Sequence, residues 1–178
     1  VEGGVDLSKS LEWLVKAVAQ EHTGAMCTYA MFHLDGKKGV PRNPAKAYNL
    51  YTRAAKKANV LAIHNMAQMH QRGDGVEQSL QHALDLYVIS AKKGYPPSCF
   101  VLGCFFAEGK ALKQDLKAAH ELWTTAAKAG HQEAQQQLEK LADSLAYVDE
   151  VEKERQKLQR REQQLADLVK QLQQQIKD

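Results

Sequence analysis

The side chains most able to do chemistry are seven histidines and three cysteines. The histidines are His22, His33, His64, His70, His82, His120 and His131. No two stand four apart, the spacing that sets two imidazoles on one helical face for a metal such as zinc. His64 and His70 are six apart and point different ways. The cysteines Cys27, Cys99 and Cys104, odd in number and thinly spread, make no disulfide framework. Cys99 and Cys104, five residues apart, project about 140° from each other on a helix, which excludes a bridge within it. A nucleophilic thiol needs a base and a lowered pKa, and no residue pattern supplies either. The glycine pairs lack the Gly-x-x-x-x-Gly-Lys-Ser/Thr pattern and follow no strand, so they are not phosphate loops. No carboxylate pair, triad or cofactor fingerprint is present. The expectation is a chain with no catalytic residue, no metal and no cofactor.

The elements that must carry these residues repeat along the chain. Gly36-Lys37-Lys38-Gly39-Val40 aligns with Gly73-Asp74-Gly75-Val76 and Gly109-Lys110-Ala111-Leu112. A bulky couple follows each, Leu50-Tyr51, Leu86-Tyr87 and Leu122-Trp123, and then a small pair, Ala54-Ala55, Ser90-Ala91 and Ala126-Ala127. Stops fall at Ala58, Gly94 and Gly130, and the first helix of the next unit restarts at Ala62, Ser98 and Ala134. From Ala25 the steps are 37, 36 and 36 residues, a period that means helical hairpins stacked into a solenoid. Each unit reads as helix, glycine turn, helix. Asn43, Ser79 and Asp115 stand where the second helix needs an N-cap, and Pro44 fits its first position.

The motif Ala-x-x-x-Leu-Gly, Gly-x-Gly-Val, Lys-Ala-x-x-(Trp/Leu)-(Tyr/Trp)-x-x-Ala-Ala-x-x-Gly resembles the Sel1-like repeat, a relative of the tetratricopeptide repeat. Its anchors are Lys46-Ala47, Tyr51, Ala54-Ala55, Gly73 to Val76, Leu102-Gly103 and Ala126 to Gly130. The resemblance implies an all-α, right-handed α-solenoid over residues 1–133. That comprises one partial unit at 1–24 and full units at 25–61, 62–97 and 98–133. Some relatives bridge the two helices of each unit by a disulfide. Here no second helix carries a cysteine, so the thiols are expected free, in an intracellular reducing compartment.

Residues 134–178 form a different object, expected as one long helix. After Gly130 there is no further glycine, and after Pro97 no proline. Leu138, Leu141, Leu145 and Val148 are spaced 3-4-3, and Val151, Leu158, Leu165 and Leu172 keep a strict seven, with Leu168 as a companion. Such a stripe reads as a coiled-coil arm that pairs with another chain, or as a solvated single helix that frays near its end. Glu154, Arg161 and Gln175 occupy places where leucine would strengthen it.

Repeats of this family imply a non-enzymatic adaptor or scaffold subunit that binds other proteins. If the tetratricopeptide register carries over, its concave face is lined by Cys27, Met31, His64, Gln68, Arg72, Phe100, Cys104 and Glu108. That face would take a peptide or helix, with Met31 and Phe100 either as apolar anchors or as packing against the next unit. The tail would pair through Leu145, Val148, Val151, Leu158, Leu165, Leu168 and Leu172 with another chain or with its own copy. No run of about 18 apolar residues exists to insert in a membrane. An alternative reading is RNA binding, from 16 basic against 12 acidic residues in 1–133, opposed by the lack of a basic stripe. A second alternative is a thiol- or metal-handling assembly factor, from the cysteines.

Overall fold

The structure, a computed structural model, describes residues 7–175; the side chains of 7, 145, 148, 149, 166–169 and 171–175 lie outside the description. Eight α-helices and no strand make up the described residues. They are α1 (Leu7–Ala19), α2 (Thr23–Asp35), α3 (Pro44–Lys56), α4 (Val60–Arg72), α5 (Leu80–Lys92), α6 (Pro96–Glu108), α7 (Leu116–Lys128) and α8 (Gln132–Gln175). Helices α2/α3, α4/α5 and α6/α7 are hairpins stacked as an α-solenoid, with α1 preceding them as a lone second helix.

Local chemistry sets each boundary. The side chains of Asn43, Ser79 and Asp115 accept hydrogen bonds from the backbone N–H of Lys46, His82 and Ala118, so each caps its helix. Helices α2, α4 and α6 all end on a left-handed glycine, Gly36, Gly73 and Gly109, whose N–H returns to the last turn. A backbone bond then closes every hairpin in the same way: Asn43 to the His33 carbonyl, Ser79 to His70 and Asp115 to Phe106, at 2.7–3.0 Å. Gly94 and Gly130 stop α5 and α7 with positive φ, and Ala58 adopts φ +60° at the matching place after α3.

Within a hairpin the two helices meet through a large side chain and a small one. Trp123 of α7 is buried with its ring over Gly103 of α6, and its indole N–H donates to the Phe100 carbonyl at 3.2 Å. Tyr51 and Tyr87 fill the same place in the earlier units, both 1% exposed. Around them Ala30, Ala47, Ala54, Ala67, Ala83 and Ala126 are fully buried, and these small residues let neighbouring backbones approach.

The chain divides into two compact units between Gln135 and Gln136, inside α8. The division falls two residues beyond the 133/134 boundary read from composition, because Ala134 is fully buried in the place that Ala25, Ala62 and Ser98 hold in earlier first helices. The described part of the second unit is the continuation of the 44-residue helix α8 from Gln136, with large apolar side chains standing in solvent.

Candidate functional site

The first helices α2, α4 and α6 each keep one stripe open. On α4 it is Leu61, Asn65, Gln68 and Arg72, spaced i, i+4, i+7, i+11, with the rest of the helix largely buried. The counterparts are Gly24, Thr28, Met31 and Asp35 on α2, and Pro97, Val101, Cys104 and Glu108 on α6. Met31 is 47% exposed, Gln68 and Cys104 are half-buried, and Arg72 and Glu108 are exposed. Across the stack the end positions alternate acid, base, acid. Lys37 bonds Asp35 and Lys110 bonds Glu108, each at 2.9 Å.

The structure corrects three of the expected groove residues. Cys27 and His64 are only 3% and 5% exposed. Two before the Leu-Gly pair is the side of the helix that meets the next repeat; the open position is one before it, at Thr28, Asn65 and Val101. A one-residue offset turns a side chain about 100° around the helix. The position, buried at Cys27 and His64 and partly buried at Phe100, is a joint, built against the residue that precedes the following first helix. The Cys27 thiol donates to Asn59 at 3.6 Å, the His64 ring lies 5.2 Å from Tyr95, and Phe100 stacks on His131 at 4.7 Å. Phe100 is therefore committed to packing and is no groove anchor. Spacing back from Met31 by three residues, rather than four, would have located the open row.

Burial fixes the charge state of these groups. It pushes the Cys27 thiol up to about 11 and raises Cys99 and Cys104 as well, so none is a ready thiolate. His64 is held neutral, its pKa drawn down to about 4 by desolvation, with Nδ1 2.8 Å from the Ser98 hydroxyl and Tyr87 at its other face. An unfolded imidazole titrates near 6.5, so as pH falls the unfolded chain takes up this proton first. The stabilisation is complete above about pH 6.5 and declines toward pH 4. About 2 kcal/mol is expected to be gone at pH 5. Urea titrations at pH 7 and pH 5 should show that loss, and His64→Gln should remove the part due to this residue; an unchanged slope in the variant would refute the assignment.

His33 and His70 occupy one repeat position with different outcomes. His70 meets the Tyr48 hydroxyl at 3.0 Å and the Glu77 carbonyl at 3.2 Å. Buried His33 reaches the Pro41 carbonyl at 3.1 Å, while its Nε2 has no partner; Leu11 stands where the repeat would place Tyr48. Among the described residues no group of three or more His, Cys, Asp or Glu side chains is arranged to hold a metal ion. No described helix is long and apolar enough to cross a membrane.

On α8, Tyr147, Val151, Leu158 and Leu165 are 69%, 48%, 57% and 61% exposed. The first three border a shallow groove with Glu150, Glu154 and Arg155. The side chains of Leu145, Val148, Leu168 and Leu172 lie outside the described residues.

The model of the Sel1 repeat matches residues 2–22, 23–59, 60–95 and 96–131. The chain belongs to the Sel1 repeat family. Sel1 repeats generally act as protein-interaction scaffolds. No curated protein matches the chain. Among solved structures, it is similar to a Sel1 repeat protein from Oxalobacter formigenes, with TM-score 0.69 and 24% identity over 74% of this chain and 54% of that one. It is also similar to c5321, a protective antigen of uropathogenic Escherichia coli with the same fold, with TM-score 0.67 and 26% identity over 75% of this chain and 28% of that one. Helicobacter pylori cysteine-rich protein B gives TM-score 0.56 at 19% identity, over 74% of this chain and 96% of that one. The chain thus spans about half, or less, of the first two Sel1 structures.

Proposed function

We propose that this Sel1 repeat protein is a non-enzymatic adaptor whose open first-helix stripes hold a segment of a partner protein, while the α8 arm contacts a protein in its own right. The observation carrying this reading is the row Met31, Gln68, Cys104 beside the row Asp35, Arg72, Glu108, set on the first helices of three successive hairpins, α2, α4 and α6. An apolar-to-polar middle row with a charged end row suits an extended or helical peptide with an apolar centre and mixed charge. A rigid scaffold reduces the ordering cost of binding. Protonated, buried thiols fit a reducing compartment for the assembly.

The test is affinity capture with the intact chain, a Met31→Glu/Arg72→Glu variant and a chain ending at residue 143. Loss of a captured protein by the double variant supports the groove, and an unchanged set of partners overturns it. Truncation that loses no partner removes α8 from the proposal.

A further inference from the structure

Resting on the reading that α8 contacts a protein, we infer that its partner is α8 of a second copy, aligned antiparallel. The stripe has two rows: Val151, Leu158, Leu165 and Leu172 in one, and Tyr147, Glu154, Arg161 and Leu168 in the other. Val151, Leu158 and Leu165 of the first row stand exposed, as does Tyr147 of the second, and Glu154 and Arg161 interrupt that second row.

These two charges decide the orientation. In a parallel, in-register pair, Glu154 meets Glu154 and Arg161 meets Arg161 in the interior, and like charges brought together there are costly. In an antiparallel pair centred between residues 159 and 160, one row faces the other. Glu154 then faces Leu165 of the second copy and Arg161 faces Leu158, so no layer holds two like charges. Arg161 of the second copy lies one turn from the leucine that faces Glu154, about 6 Å along the helix, within reach of the carboxylate. On the flank, Arg155 comes beside Glu162 of the second copy. The two-fold axis makes both attractions twice. Tyr147 against Leu172 and Val151 against Leu168 close the two ends as apolar layers. In the single chain Glu154 is held by Lys157 at 2.6 Å, a solvent-exposed pair, and such pairs are readily exchanged for a better partner.

The intact chain should therefore sediment as a dimer. Glu154→Arg and Arg161→Glu should each weaken association about tenfold or more, by setting like charges one turn apart across the seam, and the double exchange should restore it. A parallel dimer would show no such rescue. Independently, a spin label at Ala142→Cys, on the face of α8 turned away from the stripe, in a Cys104→Ser chain should report a separation of about 50 Å, the rise across 35 residues, against roughly 20–30 Å for parallel helices packed about 10 Å apart. Far-UV circular dichroism confirms that each variant keeps its helix. A chain that stays monomeric overturns the inference, as does a short label distance or a failed rescue. Capture with the chain ending at residue 143 then separately decides whether α8 contacts a different protein.

Discussion

Replacing Trp123 by alanine is expected to remove about 3–5 kcal/mol from the stability of the repeat unit. The indole is 5% exposed, covers Gly103 and supplies the hydrogen bond to the Phe100 carbonyl. Truncation leaves a cavity in the α6/α7 hairpin and removes the second hydrogen bond that the Phe100 carbonyl accepts beside its helical one. Chemical denaturation followed by helix content measures the loss, and a change below about 1 kcal/mol would show that the hairpin does not depend on this ring. The reciprocal substitution reports on the same contact. A Cβ at Gly103 would lie 2.6 Å from the indole nitrogen, so Gly103→Ala should also destabilise.

The second large effect is expected at Gly75. Its φ is +73°, and an added Cβ would sit 2.5 Å from Pro44 Cβ and 2.7 Å from the Pro44 carbonyl carbon. Backbone atoms at the start of a capped helix cannot yield as a flexible side chain would. Gly75→Ala is expected to cost roughly 2–4 kcal/mol, the sum of left-handed strain and overpacking. Gly39, its counterpart, has φ +75° and no heavy atom within 4 Å of the added Cβ, so Gly39→Ala should cost only about 1–2 kcal/mol. The third repeat adopts this conformation with an alanine, Ala111 at φ +60°. If the Gly75 and Gly39 variants melt alike in parallel thermal scans, the Pro44 contact does not matter.

The repeats were legible because their signals are local and tied to residue type. A glycine that must take positive φ, an Asn, Ser or Asp that caps and an alanine that lets backbones meet each recur at one period. The long helix was legible from the end of glycine and proline. The groove was legible only in part. Met31, Gln68, Arg72 and Glu108 stand on the open stripes, whereas Cys27 and His64 are inside. Nothing in composition separates adjacent helical positions 100° apart, and the set that forms the joints, Cys27, His64 and the partly buried Phe100, shares no residue type that would mark it as such. The signal lay in pairing over about 31 residues: the thiol with Asn59, the imidazole with Tyr95 and the phenyl with His131.

Those three junctions have an evolutionary consequence. Each is a different chemical match, a thiol to an amide, an imidazole to a phenol, a phenyl to an imidazole, although the backbones around them are alike. Shuffling the hairpins, or copying one of them into the array, would bring mismatched faces together, for instance Phe100 against Asn59. The order of the units is thereby written into their seams, and lengthening this array requires a new seam to be invented along with each new unit.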